Sequence, residues 1–181
     1  ASKDLAAMGW NPLNVKGTAA TNWGVNNTGG LGPDQYAKLG WTPSKTNYET
    51  CLASPIFQAA GASTLSIQYD REFLPNGAGS NSTAITLKGS LDGANTDWSK
   101  ALTLDTQLGN QGIGPDNVVF NIPSELSNSN GLRLGFCVSG KSTYDITQFA
   151  VDNVCVVKGS APSFVKCRSE EHTSELQSQS T

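Results

Sequence analysis

Cysteines and carboxylates carry the strongest chemistry in this 181-residue chain, and their spacing decides what they can do. Cys51, Cys137, Cys155 and Cys167 contain no C-x-x-C pair, whereas a structural zinc needs four closely arranged Cys or His ligands. The thiols therefore read as disulfide partners in an oxidising compartment. The single histidine, His172, lies in the polar tail formed by residues 168–181. Without it the chain has no imidazole, which excludes a Ser-His-Asp triad or a Cys-His pair. Glu49, Glu72 and Glu125 fall in separate segments with no E-x-D-x-E arrangement, and glycoside hydrolysis needs two facing carboxylates. Neither a G-x-S-x-G elbow nor an H-E-x-x-H motif is present. Residues 135–142 match G-x-x-x-x-G-K-S formally, but Phe136 and Val138 fill the would-be loop inside a strand pattern. A phosphate loop opens a helix instead, so no nucleotide is expected. Catalysis is not expected either.

The elements that must position any site are short alternating strands. Leu65, Ile67 and Tyr69 share a face, as do Ile85, Leu87 and then Leu91. The same holds for Leu102 and Leu104, for Val118, Phe120 and Ile122, and for Leu132, Leu134, Phe136 and Val138. Turn residues such as Pro75-Asn76-Gly77, Asp92-Gly93 and Gly114-Pro115-Asp116 separate them. The pattern predicts an all-β, two-sheet antiparallel sandwich of jelly-roll type, with Leu52, Leu65, Ile67, Tyr69, Leu87, Leu134, Phe136 and Val154 in its core. One helical turn at residues 34–39 is the single helix-like segment.

One domain is expected over residues 1–160, then a linker start at 161–167 and a disordered tail at 168–181. Residues 168–178, Arg-Ser-Glu-Glu-His-Thr-Ser-Glu-Leu-Gln-Ser, resemble the translation of a common sequencing adapter. A start at Ala1 without Met or leader reads as a processed or excised fragment. The tail holds one Arg and three Glu, so the formal net charge of −3 falls to −1 without it. A near-neutral chain with no basic cluster offers no footprint for nucleic acid, and no apolar run is long enough for membrane insertion. Sequons occur at Asn26 and Asn81, and in so Asn-rich a chain they read as chance turns.

Three segments in order resemble the MAM-like jelly rolls, including the cleaved-adhesin modules of secreted proteins. They are Cys51-Leu52-Ala53-Ser54-Pro55-Ile56-Phe57 followed by residues 64–70, then Leu87-Lys88-Gly89-Ser90-Leu91-Asp92-Gly93 leading to Trp98, then Phe149-Ala150-Val151-Asp152-Asn153-Val154. Trp23-Gly24-Val25-Asn26-Asn27 is similar to the family's N-terminal Trp strand. The resemblance covers residues 51–157. It implies a secreted, non-catalytic module for adhesion or glycan binding, disulfide-bearing, often with calcium, beside other domains of the same chain. Its alternatives are a structural spacer with no ligand and a divergent polysaccharide-active enzyme.

Three sets of site residues follow, the disulfide and the calcium from the resemblance and the aromatics from residue type and polar neighbours. In such jelly rolls the opening and closing strands are antiparallel neighbours, which predicts a Cys51–Cys155 disulfide, with Cys137 free or joined to Cys167. Asp152, expected inward in phase with Val154 and Val156, is the calcium candidate; an ion pair with Arg71 or bonds to loop amides are the alternatives. Asp92, Asn95 and Asp97 lack an EF-hand pattern and read as a turn before Trp98. For a glycan or protein ligand the aromatic candidates are Trp41 and Tyr48 beside Asn47, and Trp23 beside Asn26. Core packing is the competing role for each.

Overall fold

The computed structural model describes residues 4–26, 31, 35–76 and 82–159. The expectations for Asn81, for the linker and tail and for Cys167 lie outside these residues. Among the described residues ten strands form: β1 Asn11–Lys16, β2 Trp23–Asn26, β3 Tyr36–Gly40, β4 Thr46–Ala53, β5 Leu65–Pro75, β6 Ala84–Ser90, β7 Leu102–Leu108, β8 Ile113–Ile122, β9 Arg133–Ser142 and β10 Ile146–Lys158. They make two antiparallel five-stranded sheets, one ordered β1-β4-β9-β6-β7 and the other β2-β3-β10-β5-β8. The two-sheet sandwich expected from alternation is the fold. Residues 36–40 are strand rather than a helical turn, because Ala37 and Leu39 face inward while Tyr36 and Lys38 pair outward with Asn26 and Gly24.

The core lies between the sheets. Leu52, Leu65, Ile67, Tyr69, Leu87, Leu134 and Phe136 are all buried there, and Val154 packs against them half-buried. At roughly 1.5–3 kcal/mol for each large apolar side chain, this layer is the main stabilising term. Periodicity fails at strand ends: Ile56 and Leu91 are exposed beyond the last residues of β4 and β6, and Leu102 is exposed as the first residue of β7.

The predicted Cys51–Cys155 bridge is corrected. Cys51 pairs with Cys137, directly opposite it on antiparallel β4 and β9, with a Cα separation of 4.0 Å. The reason is strand order: β4 lies between β1 and β9 in the first sheet, while β10 lies between β3 and β5 in the second. Cys137 is therefore neither free nor joined to Cys167, and Cys155 is disulfide-bonded as well. Trp98 covers the Cys51–Cys137 bridge from outside, packed with Ala53, Leu13, Val15 and Ala101. A Cβ at Gly135 would collide with the Trp98 ring, so glycine is needed there for packing and not for phosphate binding. Lys88 ties this cover down, its Nζ donating to the Trp98 carbonyl at 3.0 Å and pairing with Glu49 at 2.6 Å.

Asp152 does not face the core. A bulge between Asp152 and Cys155 shifts β10 by one residue, so Phe149 and Val151 face inward before it and Val154 and Val156 after it. Asp152 therefore sits half-buried on the outer face, opposite Asp70.

Candidate functional site

Several connections between the sheets meet at one end of the sandwich. Thr46 pairs with Ser142, Gln148 with Gly40 and Ile146 with Pro75, which brings the β3–β4 and β9–β10 connections together beside the end of β5. Both connections cross from one sheet to the other. Trp41 lies on the first and Tyr144 on the second.

Both aromatics are exposed, Trp41 at 42% and Tyr144 at 58%, and their rings meet edge to face with centroids 5.7 Å apart and planes at 86°. The loops beneath them are fastened by buried polar groups. Thr143, fully buried, donates its hydroxyl to the Trp41 carbonyl at 2.8 Å and accepts from the Lys45 amide at 2.9 Å. The Thr143 amide in turn donates to the Lys45 carbonyl at 2.8 Å. From the other side Asn22 Nδ2 donates to the carbonyls of Gly40 and Pro43, both at 3.0 Å. Tyr144 is held by its own amide bonded to Ser142 Oγ at 3.1 Å and by Asn76 Nδ2 on its carbonyl at 2.9 Å. These bonds leave both rings at the surface on backbone that is already ordered, which lowers the entropic cost of binding.

The other aromatic candidates are not at the surface. Trp23 is buried, donates its indole N–H to Thr50 Oγ1 across the sandwich at 3.1 Å and packs edge-on against Phe149. Tyr48 is also buried, and its hydroxyl has no hydrogen-bond partner among the described residues. Burial, with the nearby Asp145 charge, pushes its phenol well above the ordinary tyrosine range. Both are therefore corrected from ligand candidates to core residues. Asn47 remains exposed at the start of β4, in the left-handed region at φ 48°. Asn26 gives its amide to Tyr36 Oη at 2.6 Å. Tyr144 is the partner that sequence reasoning missed. Its signal is an aromatic inside the polar turn Ser142-Thr143-Tyr144-Asp145, out of any strand alternation.

The Asp152 carboxylate accepts from the Asn153 amide at 2.8 Å. Across from it, Asp70 accepts from Asn117 Nδ2 at 2.9 Å and Asn153 Nδ2 at 2.7 Å, one to each oxygen. Calcium takes six to eight oxygen ligands, and among the described residues no three His, Cys, Asp or Glu side chains converge. Arg71 is not the partner of Asp152: it pairs with Asp116 at 3.1 Å and reaches Asp105 on the other sheet at 3.6 Å. On the outer face of the second sheet Glu72 accepts a short hydrogen bond from Gln148. No helix of the described residues is long and apolar enough to cross a membrane.

No sequence-family model matches the chain, and no curated protein does. Solved structures do resemble its fold. The K1 cleaved-adhesin domain of Lys-gingipain from Porphyromonas gingivalis W83 matches at a TM-score of 0.56 and 11% identity, over 88% of this chain and 95% of that one. The K3 cleaved-adhesin domain of the same protein matches at 0.54 and 14%, over 86% and 94%. The carbohydrate-binding module TmCBM61, solved with β-1,4-galactotriose, matches at 0.52 and 11%, over 83% and 88%. These likenesses extend to the fold.

Proposed function

We propose that this chain is a non-catalytic glycan-binding module of a secreted protein, and that the Trp41–Tyr144 corner is its ligand face. The observation that carries this reading is the exposure of two touching aromatic rings on loops fastened from below by Thr143, Asn22 and Asn76. Aromatic faces shed water readily and stack on the C–H face of a sugar, while flanking polar groups fix its orientation. Trp41 Nε1, Tyr144 Oη and the Asn47 amide are the groups we assign to the fixing. The galactotriose complex of TmCBM61 and the adhesin domains support this reading through shared architecture. The Cys51–Cys137 bridge supports an oxidising compartment.

The test is an array of soluble plant, microbial and animal glycans probed with the wild-type chain, Trp41→Ala and Tyr144→Ala. Wild type should bind at least one glycan, and each substitution should weaken that binding by about tenfold or more, about 1.4 kcal/mol. Equal binding by folded variants would move the ligand elsewhere. An empty array for the wild type would favour a structural spacer.

A further inference from the structure

Two aromatic rings can meet sugars in two ways. Coplanar rings spaced along a surface form a platform that matches the flat face of a crystalline polysaccharide, one sugar on each ring. Perpendicular rings cannot both lie on such a face, because when one is parallel to it the other stands across it. Trp41 and Tyr144 are perpendicular at 86°, the edge-to-face arrangement that aromatic pairs favour. Among the described residues no other aromatic side chain is strongly exposed, so no third ring extends either plane. The backbone under both is fixed by the Thr143, Asn22 and Asn76 hydrogen bonds.

Resting on the glycan reading, we infer that the Trp41–Tyr144 corner takes one sugar ring of a soluble glycan, stacked on one aromatic and bounded by the other, and does not adsorb to crystalline polysaccharide. The standing ring ends the platform beside the stacked sugar. Further sugars along the chain then gain little, so affinity follows which sugar sits in the corner rather than how many follow it. Asn47, exposed where β4 begins opposite the end of β9, is placed to add polar selectivity.

The experiment has two arms. Soluble oligosaccharides of β-1,4-galactan, mannan and xylan, from one to six sugars, are titrated into the full chain with tryptophan fluorescence as readout. The same protein is then pelleted with crystalline cellulose and with crystalline chitin, and Trp41→Ala and Tyr144→Ala run alongside after circular dichroism confirms their fold. We expect binding in at least one soluble series, with less than about threefold change from three sugars to six. Binding should weaken about tenfold or more in each variant, and the protein should stay in the supernatant above the crystalline solids. Adsorption to a crystalline solid that Trp41→Ala abolishes would overturn the inference and leave the glycan reading standing. A rise above about tenfold between three and six sugars would do the same by revealing an extended track. Folded protein that binds in neither arm would overturn both.

Discussion

Thr143 fastens the backbone beneath the candidate site. Its hydroxyl is used twice, towards the Trp41 carbonyl and from the Lys45 amide, and the residue is fully buried, so no water can replace it. Thr143→Val keeps the volume and removes the hydroxyl, leaving a carbonyl and an amide unpaired at a cost of about 1–3 kcal/mol. The melting temperature should fall, glycan affinity should fall with it as the Trp41 loop loosens, and Thr143→Ser should restore both. Affinity unchanged in Thr143→Val would show that the rings do not depend on this fastening. Single residues were unevenly legible in the sequence. Tyr48 looks like a surface aromatic beside Asn47, yet it shares its face of β4 with Thr50 and Leu52, and that phase already marks it as core. Trp23 is hidden by a partner in the other sheet, Thr50, which no local pattern shows. Trp41 was identifiable because it stands outside any alternation.

At the scale of elements, alternation predicted which faces point inward but not which strands are neighbours. Cys51 and Cys137 alternate with Leu52 and Phe136 and so face away from the main core, beneath Trp98. Their pairing depends on β4 lying beside β9, a long-range choice that local phase does not encode. The β10 bulge is a second case: one extra residue reverses the phase, so counting back from Val154 turned Asp152 to the wrong side. The Cys51–Cys137 bridge spans 86 residues and joins two central strands of the first sheet. Removing it with the double substitution Cys51→Ser and Cys137→Ser should cost about 2–5 kcal/mol, chiefly by freeing the unfolded chain. Urea unfolding measures this directly, and a midpoint equal to wild type would contradict the bridge's stabilising role. Non-reducing peptide mapping should recover Cys51 linked to Cys137.

For the whole molecule, stability should depend on buried phenols at alkaline pH. Burial pushes the Tyr69 hydroxyl up to about 12, partly offset by Arg71, and pushes Tyr48 up as well. A raised folded pKa means that the folded chain holds a proton the unfolded chain releases near pH 10, so stability is full below pH 10. It should fall as pH rises from 10 towards 12, by roughly 2–3 kcal/mol from Tyr69 alone. Thermal melts at pH 9, 10 and 11 read this; in Tyr69→Phe the decline should be shallower, and an identical decline would contradict the assignment. The sandwich as a whole was legible because strand period and turn residues agree along the chain. Its ligand face was only half legible, since a corner built from two crossovers exists only once the sheets have packed. The most direct measurement is an amide and indole chemical-shift titration of isotope-labelled protein with the strongest soluble ligand from the array. Shifts should centre on the Trp41 indole N–H and on the amides of Lys45, Thr143 and Tyr144. Shifts centred instead on the outer face of the second sheet around Lys38 and Gln148, with the Trp41 indole unmoved, would contradict the Trp41–Tyr144 corner as the binding face.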